Sequence, residues 1–96
     1  MLKHVVLFKF KEETDAAAIE ELASGLGALP AIIDEIKEFV FGKDIIGSER
    51  SYDFGLVSLF DDLAAMQRYQ VHPEHQKVIA HVKNICSSVV AVDFEC

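Results

Sequence analysis

A chain of 96 residues suffices for one domain with one core, here expected to span residues 1–96, burying about two-thirds of its unfolded surface. Sixteen acidic against nine basic side chains give a formal net charge of -7, which repels polyanions and argues against nucleic acid or an acidic membrane surface as partner. Hydrophobic residues make up 51% of the chain and its mean hydropathy is +0.23, an apolar surplus that so small a domain commonly hides against another copy.

In the opening MLKHVVLFKFKEE the apolar run Val5 to Phe8 is flanked closely by charge. It is too short for a signal sequence or a membrane span. Cys86 and Cys96 make no disulfide framework, the usage of a reducing compartment. The expectation is a soluble cytoplasmic protein.

Lys3 to Phe10 reads as a strand, rich in β-branched and aromatic residues without Gly or Pro. Thr14 then opens a helical pattern in which Ile19, Leu22, Leu26 and Leu29 recur at three- and four-residue spacing. Gly25 and Gly27 mark either close packing or a frayed end, and Pro30 is expected to stop the helix. Glu35 to Lys43 reads as a second strand, KDIIGSERS as a loop, and Tyr52 to Phe60 as a third strand. Asp61 or Asp62 caps a helix carrying Leu63, Met66 and Tyr69. Pro73 interrupts, a second segment carries Val78, Ile79, Val82 and Ile85, and Ser88 to Phe94 forms the last strand.

The order β-α-β-β-α-β is that of a ferredoxin-like α+β unit, an antiparallel four-stranded sheet with helices on one face. Strand alternation makes both faces apolar. His4, Val6, Phe8 and Phe10 oppose Val5 and Leu7, and Val90, Val92 and Phe94 oppose Val89 and Ala91. Helices cover only one face, so the other calls for a second sheet. A homodimer through the sheet face, closing a dimeric α/β barrel, is the expected partner.

The candidate chemistry centres on RYQVHPEHQ, Arg68 to Gln76. Pro73 suits the first position of a helix, which leaves His72 as its cap. His75 falls in the first turn, where the positive dipole end disfavours an imidazolium; a neutral imidazole is what a general base requires. The Tyr69 hydroxyl is suited to hold an oxyanion. His4, on the strand face that includes Val6 and Phe8, joins them if that face lies under the helices. The competing structural reading makes Tyr69 a core filler, His72 a cap, His75 a solvated first-turn residue and His4 a partner of a backbone carbonyl. His81 reads as a surface residue. His72 and His75 stand at H-x-x-H spacing, but no third ligand accompanies them, so no metal site is expected. With no phosphate-binding loop, dinucleotide fingerprint or nucleophile elbow, no cofactor is expected either.

KHVVLFKFK at Lys3 to Lys11, GKD at Gly42 to Asp44, YDFGLVSLFDDLAAMQRYQVHPEHQKV from Tyr52 and VVAVDFE at Val89 to Glu95 together resemble the stress-responsive dimeric α/β-barrel domain family. The tyrosine followed by H-P-x-H, here Tyr69, His72, Pro73 and His75, is its most specific mark. The resemblance implies the same ferredoxin-like unit and the same dimer. Plant members include boiling-stable oligomers, and one plant branch closes a linear polyketide by intramolecular aldol condensation. In that branch the counterpart of His75 is the base, that of Tyr69 assists, and that of His4 shares the pocket. Phe54 stands where the branch has a polar histidine, and Leu22, Ala23 and Leu26 stand where it has aromatic residues, which alters the pocket's shape and polarity.

Two functions remain open at this level. One is a cofactor-independent enzyme, cyclase- or isomerase-like, acting on a small apolar carbonyl compound. Its catalytic residues would be His75, Tyr69 and His4, in a pocket lined by Val6, Phe8, Leu56 and Ala91. The other is a non-catalytic, stress-associated structural dimer.

Overall fold

The computed structural model describes residues 1–96. Its elements are β1 (Leu2–Phe10), α1 (Ala16–Ile32), β2 (Glu38–Lys43), β3 (Phe54–Phe60), α2 (Leu63–Val71), α3 (Pro73–Ile85) and β4 (Cys86–Glu95). The strands form one sheet of order β2-β3-β1-β4 with antiparallel neighbours throughout. The architecture is the ferredoxin-like unit that the element order predicts. No helix is long and apolar enough to cross a membrane.

Register fixes which residues share a face. Val6 pairs with Leu56 and Ala91, and Phe8 with Phe54 and Val89. These side chains point toward the helices, where Leu22, Leu26, Leu29, Met66 and Val82 complete the core. On the opposite face Val5 pairs with Val57 and Val92, Leu7 with Val90, and Val40 with Val57. That face stays open: Val40, Val92 and Phe94 are 67%, 57% and 46% exposed.

Helix starts follow their capping chemistry. The Asp15 carboxylate, not Thr14, accepts from the Ala18 N–H, so α1 begins at Ala16. The Thr14 hydroxyl instead donates to the Ile85 carbonyl. Of the two candidates ahead of α2, Asp62 is the cap, accepting from Ala65 N–H at 2.8 Å.

Pro30 does not end α1, contrary to expectation; it sits inside, and the helix runs on to Ile32. Its fixed φ is helical, and only one backbone bond is forgone. The Pro30 ring is exposed while its neighbour Leu29 is buried, so core packing on either side holds the turn in place. Gly25 marks close packing: a Cβ there would stand 3.3 Å from Val78 Cγ2 of α3. Strands β2 and β3 begin later than the sequence pattern suggests, at Glu38 and Phe54, and β4 begins earlier, at Cys86.

Leu22 has no solvent exposure and anchors α1 in the core. Leu22→Ala is expected to destabilise the fold by about 2–5 kcal/mol, through lost transfer energy and the cavity left behind. Urea unfolding at an unchanged m-value measures it.

Candidate functional site

The joint between α2 and α3 sets up the site. In an unbroken helix the Tyr69 carbonyl would accept from residue 73 and that of Gln70 from residue 74. Pro73 has no N–H to give, so Tyr69 O accepts from His72 N–H instead, at 3.2 Å. The Glu74 N–H is diverted to His72 Nδ1, 3.1 Å away, which caps α3. The Gln70 carbonyl is thereby left for side chains. It accepts from His75 Nδ1 at 3.0 Å and from Gln76 Nε2 at 2.6 Å.

That bond decides the tautomer of His75. A carbonyl only accepts, so Nδ1 carries the proton, and in the neutral ring Nε2 keeps a free lone pair. The His75 pKa lies below its ordinary 6.5, first because burial penalises the charged form; the charges of His4 and His72 push the same way, against the Gln70 bond. Burial, more than the helix dipole invoked from sequence, keeps this imidazole neutral near pH 7.

Tyr69 lies against it, ring centroids 4.2 Å apart. Its ring is locked by Phe60 at 4.9 Å and Phe39 at 6.2 Å. Burial raises the pKa of the phenol, so the group remains an O–H donor at any physiological pH. The hydroxyl hydrogen-bonds no group of the chain, yet no fully sealed polar side-chain atom lacks a partner. The oxygen is therefore not fully sealed, and Tyr69 lines the cavity beside His75. His4 completes the group from β1, its ring edge-on to Tyr69 at 6.5 Å.

Sequence reasoning missed Asp93. It stands directly opposite His4 in the β1–β4 register, and its carboxylate accepts from His4 Nδ1. The signal was present as alternation: Asp93 has the same parity as Val89 and Ala91, and so faces the helices. The pair turns His4 Nε2 away from the sheet edge.

These side chains border a cavity of about 200 Å³ between α3 and the sheet. Its wall includes the three candidate catalytic residues His4, Tyr69 and His75 at one end, and the four candidate lining residues Val6, Phe8, Leu56 and Ala91 along the sheet; His72 lies outside it. Leu26, Val78 and Val82 close the helix side. No group of three or more His, Cys, Asp or Glu side chains comes together as a metal-binding cluster.

His81 departs from the surface role expected of it. Its Nε2 donates to the Ala18 carbonyl at 2.8 Å and its Nδ1 lies 2.8 Å from Glu21 Oε2, clasping α3 to α1. A larger groove of about 310 Å³ runs outside this clasp, bordered by Glu21, Glu74 and Lys77. It shares only Val78 with the His75 cavity; its polar residues, Glu21, Glu74, Lys77 and His81, do not line that cavity.

The fold agrees with what the chain is similar to. An uncharacterized protein of Streptomyces coelicolor is 33% identical over 98 residues, covering 99% of each chain. Olivetolic acid cyclase of Cannabis sativa is 32% identical over 76 residues, covering 77% of this chain and 75% of the cyclase. A crystal structure from Thermobifida fusca, described as a dimeric ferredoxin-like protein of unknown function, superposes with a TM-score of 0.91 at 30% identity. It covers 99% of this chain and 90% of that one. The model of the stress responsive A/B barrel domain matches residues 2–96, and the chain belongs to that family.

Proposed function

We infer that the protein is a homodimer whose cavity carries cofactor-independent acid–base chemistry on a small carbonyl compound. The observation that carries this reading is the pairing of an orientated, neutral His75 with the free Tyr69 hydroxyl on one apolar cavity wall. The similarity to olivetolic acid cyclase supports the same class. In the proposed step His75 Nε2 takes a proton from the carbon beside a carbonyl and becomes an imidazolium. The bonding pair passes into an enolate, and the Tyr69 hydroxyl hydrogen-bonds its oxygen as charge develops. The imidazolium then returns the proton, either to another carbon of a conjugated enolate, an isomerisation, or to the alkoxide formed when the enolate carbon attacks a second carbonyl of the same molecule, a cyclisation. His4, held by Asp93, offers Nε2 as a further polar contact for the substrate.

A purely structural dimer would call for a filled core and a solvated His75. The cavity and the burial of His75, 9% exposed, favour the catalytic reading. The open sheet face supports the dimer: Leu7, Val57 and Val92 would be covered by the same residues of a second copy.

The base is tested by NMR titration of the histidine rings. His75 should titrate below 6.5, and Tyr69→Phe should move its midpoint; a normal midpoint indifferent to Tyr69 removes the base. Stability follows by linkage. A folded-state pKa below the unfolded value means that the contribution of His75 is fully present above pH 6.5 and is lost as pH falls through the folded value. His75→Gln should flatten the thermal midpoint against pH just below 6.5. The slope below pH 4.5, where Glu35 holds a lowered pKa beside Arg68, should be left intact.

The dimer has its own test. Light scattering should give twice 10.7 kDa for the wild type and 10.7 kDa for Val57→Lys combined with Val92→Lys, with unchanged far-ultraviolet circular dichroism. A monomeric wild type overturns it.

A further inference from the structure

The cavity has a direction. Chain geometry runs β1 and α3 the same way along it: His75 starts α3 beside Tyr69 and His4, and the Ile85 carbonyl at its end accepts from Lys11 N–H just past β1. From His4 to Phe8 the strand advances about 13 Å. All the polar side chains of the wall, His4, Tyr69, Gln70 and His75, belong to the first end, and the far end is Phe8, Val82 and Val89. None of the 13 lining residues is Lys, Arg, Asp or Glu. A charged group held against the buried Phe8 and Val82 would lose its hydration with nothing to replace it.

Volume sets the other limit. An apolar cavity of about 150 Å³ admits benzene, with six heavy atoms. A cavity of about 200 Å³ therefore holds about eight by the same ratio. Val89, a lining residue on the edge strand β4, is 46% exposed.

We propose that the site selects an uncharged carbonyl compound of about eight heavy atoms, a single ring or a chain of similar bulk. Its carbonyl lies at Tyr69 and His75 and its apolar body against Phe8, Val82 and Val89. This rests on the reading of Tyr69 and His75 as the carbonyl-binding end. A linear polyketide of twelve or more carbons exceeds the volume limit, and a substrate still attached to an anionic carrier inside the cavity exceeds the charge limit.

The test is binding of a homologous series, butan-2-one to undecan-2-one, to the whole chain, followed by the methyl NMR signals of Val82 and Val89. Affinity should rise roughly fourfold per methylene up to heptan-2-one, which has eight heavy atoms, and then stop rising. 6-Oxoheptanoate, carrying a carboxylate at the far end, should bind at least tenfold more weakly than nonan-2-one, which also has ten heavy atoms. Val89→Phe, at a surface position that leaves the core untouched, should move the optimum to a shorter ketone, and Val82→Ala to a longer one. Affinity that climbs steadily to undecan-2-one overturns the proposal. So does equal binding of the oxo acid, an optimum unmoved by either variant, or the absence of saturable shifts at both valines. Saturable binding with this optimum but without turnover or a lowered His75 titration would leave the selectivity standing and remove the base.

Discussion

The missing N–H of Pro73 is the constraint on which the site depends. It ends α2, leaves the Gln70 carbonyl without a backbone donor, and passes the cap of α3 to His72. The vacant carbonyl then holds His75 Nδ1 and aims Nε2 at the cavity. One motif therefore serves as both helix joint and tautomer switch for the ring beside it. The structural and chemical readings of H-P-x-H are consecutive steps in one arrangement of hydrogen bonds, and neither excludes the other.

Around this joint the environment is graded. Tyr69 is packed among Phe60, Phe39 and His75, so it loses little freedom when its hydroxyl meets a ligand. Its burial raises the phenol's pKa and the burial of His75 lowers the imidazole's. The same low dielectric keeps both groups uncharged, one as donor and one as acceptor. A carbonyl set between them would meet a proton source and a proton sink already in position, with no solvent to reorganise.

The sheet divides its labour between faces. Toward the helices it supplies a core interrupted by a cavity; away from them it offers valines, leucine and phenylalanine to solvent. In the proposed dimer a second sheet would cover the open face of β1 and β4, the two strands that carry His4 and Asp93. The cavity and the open face lie on opposite sides of the sheet.

Strand parity, helix spacing and proline placement are local properties, and they were enough for the element order, the two-faced sheet and the shared face of His4, Val6 and Phe8; that this face lies under the helices was decided by the fold. They also carried the Tyr69 and H-P-x-H joint, since its signal lies within a few residues. What they missed depends on neighbours distant in sequence. Pro30 was expected to stop α1, but burial of Leu29 and Ile33 in the core outweighs one lost backbone bond. His81 looked like a surface residue because the Ala18 carbonyl and Glu21 come from another helix. Asp93 acquires its role only when antiparallel register sets it opposite His4. The volume of the cavity, its polar end and the free hydroxyl of Tyr69 were decided by packing alone. Each is a distance between elements that hydrophobic periodicity orders along the chain but does not space.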